Sequence, residues 1–165
     1  MLLDLGHAKE AAELLATAED SARGTSGRLL RAWLAAAHGE ALAASKERSA
    51  SLRAFDRAES LMPPGPADAE SPYLVLDTIH LARWRGNALA RIGEAEAVDV
   101  LAAALRNLDP TFTRAETGLR VDLATALIAS GERDEARQHL TKAHALAAEI
   151  GSVRQLRRLA ALSDA

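Results

Sequence analysis

Apolar residues return three and four positions apart in long segments of the chain, with polar residues between them. Leu29, Leu30, Trp33, Leu34 and Ala37 make one such stripe; Leu119, Leu123, Leu127 and Ile128 make another. That spacing lays one apolar face along an α-helix, and no stretch shows the sustained alternation of a half-buried strand. Glycine, proline and small polar residues break the stripes at Gly6, Gly24–Gly27, Ser45–Arg48, Pro63–Pro72, Gly93, Asp109–Pro110, Gly131 and Gly151, where turns are expected. The pattern predicts an all-α chain with helices near 8–22, 28–45, 48–61, 72–92, 94–107, 113–130, 133–149 and 152–163. Two starts carry cap signals. Ser71 precedes a first-turn Pro72, and Thr113 with Glu116 reads as a capping box, in which paired side chains satisfy the free N–H groups of the first turn.

A longer period overlies the helical one. Gly39 is followed by Ser51, Phe55, Ala58 and Pro63; Gly86 by Val98, Ala102, Leu105 and Pro110; Ala124 by Ala136, Leu140, Ala143 and Ala148. From the first small residue to the closing position the separation is 24 in each of these units. A small residue on a first helix lets a second helix approach closely, and the bulky residue on that second helix fills the space. The spacing therefore places Phe55, Ala58, Gly86, Leu89, Leu123, Leu127, Ala136 and Leu140 between helices.

On these positions the chain resembles the tetratricopeptide (TPR) repeat family from about Arg28 to Gly151. Its best single match is Gly86–Asn–Ala–Leu–Ala–Arg–Ile–Gly93. It departs from the family in its first helices. Ala35, Ala82 and Arg120 stand where the family has an aromatic, and Leu42, Leu89 and Leu127 where it has tyrosine. The resemblance implies a TPR-like α-α solenoid of antiparallel helix pairs with a C-terminal capping helix, a single domain over 1–165. Its parts would be a partial repeat at 1–24, repeats at 28–63, 72–110 and 113–149, and the capping helix at 152–163. Leu5–Gly6 with Ala11, Leu15 and Ala18 matches the end of one unit, and Met1, Leu2, Leu3 and Leu5 read as an uncapped apolar edge. The expectation is that the chain is the C-terminal part of a longer protein and self-associates through that edge. The run of Arg154, Arg157 and Arg158 reads as a solvated face of the capping helix.

Composition agrees with helices. The chain of 165 residues has 38 Ala and 26 Leu but only two Trp, one Tyr and two Phe. Residues that lose little side-chain freedom in a helix dominate, and those that favour sheets are scarce. Net charge is −3, which disfavours a nucleic-acid surface spread over the whole chain. The absence of cysteine removes disulfides and thiolate metal sites and suits a reducing cytoplasm. No apolar run reaches the length of a membrane span, so no membrane partner is expected.

Chemistry-bearing motifs are missing. There is no phosphate loop, dinucleotide fingerprint, nucleophile elbow or zinc-protease helix. His139 and His144 are five apart, off the spacing that sets two metal ligands on one helical face. Asp77 and His80, one turn apart, read as a local surface hydrogen bond. Glu94 with Glu96, and Glu132 with Asp134 and Glu135, fall at second-helix starts, where the helix dipole favours carboxylates. The expectation is no enzyme, no catalytic residues, no metal and no cofactor.

The family's first helices line the face that binds peptides. Transferring that pattern selects Trp33, Ala36 and Glu40 in one unit. It selects His80, Arg83, Trp84, Asn87 and Arg91 in the next, and Val121, Asp122, Thr125 and Ile128 in the third. Arg83 and Asn87 resemble half of a carboxylate clamp, but Asp122 has the wrong sign for the other half. What remains is a polar, locally cationic patch suited to an acidic or backbone-rich partner. The phrase from His80 to Gly93, then Leu108–Asp–Pro–Thr–Phe–Thr–Arg–Ala–Glu116, is similar to the C-terminal TPR regions of actinobacterial Xre-type helix-turn-helix regulators. That resemblance implies a cytoplasmic, peptide- or protein-binding sensor or oligomerisation module in transcription regulation, meeting DNA only through a domain outside this chain. The alternative is an interaction scaffold or dimerisation module with no regulatory ligand.

Overall fold

A computed structural model describes residues 2–63 and 76–163. Among them a short 3-10 turn at Leu3–Leu5 precedes helices α1 (Ala8–Ala22), α2 (Arg28–Ala44), α3 (Arg48–Leu61), α4 (Thr78–Ile92), α5 (Glu96–Arg106), α6 (Thr113–Ala129), α7 (Arg133–Glu149) and α8 (Val153–Ser163). The described residues hold no strand. Helix positions follow the apolar period closely except at the start of α4. Leu76 and Asp77 are not helical, and Asp77 is the N-cap, accepting the His80 N–H on Oδ1 at 2.7 Å. The helix starts there because an aspartate side chain satisfies a first-turn donor. The Ser71–Pro72 signal lies outside the described residues. The capping box at Thr113 does not form: Phe112 is the N-cap, with no side-chain bond. Glu116 instead accepts from Arg120 Nε at 2.8 Å, one turn on, a charged pairing stronger than a bond to one backbone amide.

Helices α2, α4, α6 and α7 end alike. Gly93, at φ 80°, donates to Ala90 O at 3.2 Å, and Glu94 N–H reaches Leu89 O at 3.0 Å. The same two bonds close α6 at Gly131 and α7 at Gly151, satisfying carbonyls that a helix end leaves free. After α2 the left-handed residue is Lys46, at φ 65°, the sole non-glycine with positive φ among the described residues. Such a conformation costs an L-residue about 1 kcal/mol. Lys46 Nζ donates to Arg91 O at 2.8 Å, and Arg48 pairs with Glu94. The turn after α2 is thus tied to the end of α4.

Packing is pairwise and then serial. α2 lies against α3, α4 against α5 and α6 against α7, while α4 also packs on α2, α6 on α4 and α8 on α6. By contrast α3 and α5, and α5 and α7, scarcely meet. Close approach within the pairs has a cause at single positions. A Cβ on Gly39 would lie 2.7 Å from the Phe55 ring, and one on Gly86 would lie 2.6 Å from Leu101. Buried Ser51 completes the first contact by donating to Gly39 O at 2.8 Å. Leu89, Leu101, Leu119, Leu123 and Leu127 join the second and third pairs in one apolar cluster.

Three packing expectations change. In α5 the buried residues are Ala97, Leu101 and Ala104, whereas Val98, Ala102 and Leu105 are half-buried. Leu101, one residue earlier than the matched Ala102, fills the space over Gly86, because an alanine there is too short to do so. Leu140 is half-buried, and α7 closes with Ala147 inside and Ala148 exposed. At the start of the chain Leu2 and Leu3 are half-buried against Ala11, Ala12, Ala41, Leu42 and Ala54, while Leu5 is exposed. The apolar edge is therefore narrower than the pattern implied; Met1 lies outside the described residues.

Substituting two helical glycines should have opposite effects. Gly86→Ala should destabilise by about 1–3 kcal/mol through overpacking. At Gly118 an added Cβ meets only the flexible amide end of Gln155, at 3.4 Å. Gly118→Ala should therefore stabilise by about 0.5–1 kcal/mol through helix propensity. Leu127→Ala should cost about 2–5 kcal/mol. Chemical denaturation of the three variants checks both sign and order.

Candidate functional site

The surface chosen from the sequence lies on α2, α4 and α6, the helices that stack on one another. Trp33 on α2 and Trp84 on α4 meet edge to face, with ring centroids 5.9 Å apart and an interplanar angle of 64°. Edge-to-face contact suits the ring quadrupoles, and large rings join the helices with little conformational freedom lost. Both rings are half-buried and pack against the cluster of Leu29, Ala32, Ala36, Leu81 and Ala88. They are at once part of the α2–α4 interface and partly open to solvent.

Next to them runs a polar chain across three helices. Arg91 Nε donates to Asn87 Oδ1 at 3.1 Å, and Asn87 Nδ2 donates to Asp122 Oδ1 at 2.7 Å. Arg158 Nη2 of α8 donates to the same Asp122 oxygen at 2.5 Å. Asp122 is 6% exposed, and a carboxylate buried to that degree needs charged or hydrogen-bonding partners. It has both. Asp122 therefore holds α8 and α4 to α6.

Glu40, on α2, faces this group without a hydrogen bond or ion pair of its own among the described residues. Burial pushes its carboxyl above the usual glutamate range, and the nearby charge of Asp122 adds to that. Arg91, Arg154 and Arg83 oppose it from α4 and α8 without overcoming it. Arg83, half-buried, likewise forms no hydrogen bond or salt bridge among the described residues, and its charge is one of those that act on the Glu40 carboxyl. Two complementary groups are left unpaired on one face, each held in place by its helix.

The predicted residues divide accordingly. Trp33 and Trp84 touch; Glu40, Arg83, Asn87, Arg91 and Asp122 form one electrostatic group. His80 stands apart, its Nδ1 2.8 Å from the capping oxygen of Asp77. Thr125 donates to Val121 O of its own helix at 2.8 Å. Ala36 and Val121 are fully buried, and Val121 lies in the cluster that seats Leu159 of α8. Val121 and Asp122 of the third unit are thus covered by α8, because α8 stacks on α6 as the preceding helices stack on one another, whereas Thr125 and Ile128 are half-buried. Two expectations are corrected by that packing. Asp122 is an internal tie, and Arg158 is bound to it, so Arg158 is no part of a solvated capping face. Arg91, which the helix pattern left without a nearby acid, leans on Asn87. The sequence reading missed Arg154 and Arg158 as members of the group. The signal was present in their spacing: four residues apart, they share one stripe of an α8 whose other side carries Leu156, Leu159 and Leu162.

No helix among the described residues is long and apolar enough to cross a membrane. No family model, no curated protein and no solved structure matches the chain.

The raised pKa of Glu40 fixes the sign of a pH effect. The folded state holds that proton at pH values where the unfolded chain has lost it, so stability falls as pH rises from the ordinary glutamate range through the raised value. Glu40→Gln should therefore be more stable than the wild type at neutral pH and equal to it in acid. Thermal melts at both pH values test this; a neutral-pH loss on substitution would mean that the arginines outweigh burial.

Proposed function

We propose that this protein is a peptide- or protein-binding module of TPR-like helical repeats, whose binding face is the α2–α4 surface around Trp33, Glu40, Arg83, Trp84 and Arg91. In this reading it serves as the sensor or oligomerisation part of a bacterial transcription regulator. One observation carries the binding reading: Arg83 and Glu40, both half-buried, have no hydrogen-bond partner among the described residues and sit beside two partly open tryptophans. Desolvating a charge without pairing it is unfavourable unless a ligand completes the pairing. A segment running along the face can do so with its own backbone or side chains, since Arg83 only donates and ionised Glu40 only accepts. Arginine and tryptophan are also the residue types that most often concentrate binding energy.

Two features support the repeat reading. The small-residue contact at Gly39 recurs at Gly86, and left-handed turns with the same two backbone bonds close α2, α4, α6 and α7. Helices α2, α4, α6 and α8 stack while α3, α5 and α7 fan apart. This asymmetry bends a stack toward its tighter layer, as in helical solenoids that bind along their inner surface. The regulator assignment rests on the sequence resemblance alone. A scaffold or dimerisation role is favoured by a different observation, the exposure of Leu5 just before α1 and of Leu14 on it, 65% and 61% accessible. In that case association would run through α1 and leave the tryptophans unaffected.

The chain's only two tryptophans are the contacting pair, so intrinsic fluorescence reports on the proposed face. Peptides selected from a random display library should shift that emission on titration. Arg83→Ala should weaken the selected peptides about tenfold or more, equivalent to about 1.4 kcal/mol, with no change in melting temperature. Undiminished affinity in Arg83→Ala would remove the face from the account.

A further inference from the structure

A second cleft lies away from that surface, where the end of α1, the first turn of α2 and the end of α3 converge. It encloses about 290 Å³ and is lined by Glu19, Arg23, Arg31, Arg57 and Leu61. Arg57 Nη2 donates to both Glu19 oxygens, at 3.3 and 3.2 Å, and His38 Nδ1 lies 2.6 Å from Glu19 Oε1. Burial would raise the Glu19 carboxyl, but its bond with His38 and the charge of Arg57 hold it below the usual range. Glu19 is thereby a charged anchor that fixes the Arg57 guanidinium at the wall. Arg31 is half-buried, and its guanidinium makes no hydrogen bond or ion pair among the described residues. Arg23 carries one exposed contact, to Asp20 at 3.0 Å. With Arg57 paired to Glu19 and Arg23 to Asp20, the charge of Arg31 is the one left without a carboxylate among the described residues, so the cleft keeps an excess of positive charge and free guanidinium donors.

We propose that this cleft is an anion site for a phosphate-class dianion, the phosphate between Arg31 and Arg57 and any small apolar body against Leu61. Guanidinium forks match phosphate oxygens two at a time, and two cations satisfy a dianion better than one would. The volume suits a small molecule and is too small for a folded partner. Free phosphate and a phosphomonoester share this chemistry and differ only in what would touch Leu61. The site uses none of the residues of the α2–α4 face, so it stands or falls independently of the peptide-binding reading.

Isothermal titration calorimetry of the whole chain with inorganic phosphate and with phenyl phosphate, in chloride buffer at low ionic strength, tests it. Saturable binding is expected, weakened about tenfold or more by Arg31→Met and unchanged by Arg133→Met on α7. Because the Arg31 guanidinium has no partner to lose among the described residues, Arg31→Met should melt with the wild type, and the loss of binding cannot then be a loss of fold. Arg57→Met provides a second variant with the same expected direction. Tighter binding of phenyl phosphate identifies the ligand class as a phosphomonoester; equal binding identifies free phosphate. Absence of saturable heat from either ligand, or equal affinity in wild type, Arg31→Met and Arg57→Met, would overturn the proposal.

Discussion

The structure depends on how near a second helix can come to its first. At Gly39 and Gly86 no side chain intervenes, and Phe55 and Leu101 fill spaces that a single Cβ would enter at 2.7 and 2.6 Å. Side chains packed at interior density cannot yield by an ångström without rotamer strain. These two positions therefore set the separation inside the pairs α2–α3 and α4–α5. Alanine-rich helix faces then let the pairs stack, with Ala32, Ala35, Ala36, Ala88 and Ala124 almost wholly buried. Left-handed turns repeat the return of the chain, and the one built on Lys46 also anchors the next unit through Arg91 and Glu94.

Close stacking of α2, α4, α6 and α8 has an electrostatic consequence. Polar residues on those helices are drawn toward one another and away from water. Asp122 is the resolved case, with Asn87 and Arg158 meeting one of its oxygens. Glu40 and Arg83 are the unresolved case, charged groups close enough to feel each other and yet unbonded. Trp33 and Trp84 border both. A surface that is partly dehydrated and, among the described residues, incompletely paired is what the proposed binding reading requires, and it arises from the same packing that holds the helices together.

Most of the fold was legible because helix periodicity is local. Apolar spacing located nearly every helix, and the 24-residue recurrence identified Gly39, Phe55, Ala58 and Gly86 as contact positions. Errors arose where the outcome depends on which of two adjacent residues is large enough. Leu101 rather than Ala102 fills the space over Gly86, a choice decided by side-chain reach across the pair. The start of α4 escaped because Ser71–Pro72 and Asp77 are both good start signals, and only Asp77 is seen capping the helix. The site was legible helix by helix: Arg83, Asn87 and Arg91 lie on one stripe by spacing alone. What one helix cannot reveal is a partner from another. Asp122 was assigned to an open face because the stripe of Arg154 and Arg158 on α8 shows a shared face without showing which helix it meets, and Arg158 was left to solvent for the same reason. The cleft of Arg23, Arg31 and Arg57 draws on three helices and has no linear signature.

The central claim is that the tightly stacked layer binds an extended segment at the unpaired Arg83 and Glu40. Hydrogen–deuterium exchange of the chain, with and without a saturating selected peptide, tests it most directly. Slower exchange is expected in α2 and α4, with α5 and α7 unchanged. Protection confined to α1, or to the fanned layer of α3, α5 and α7, would contradict the account.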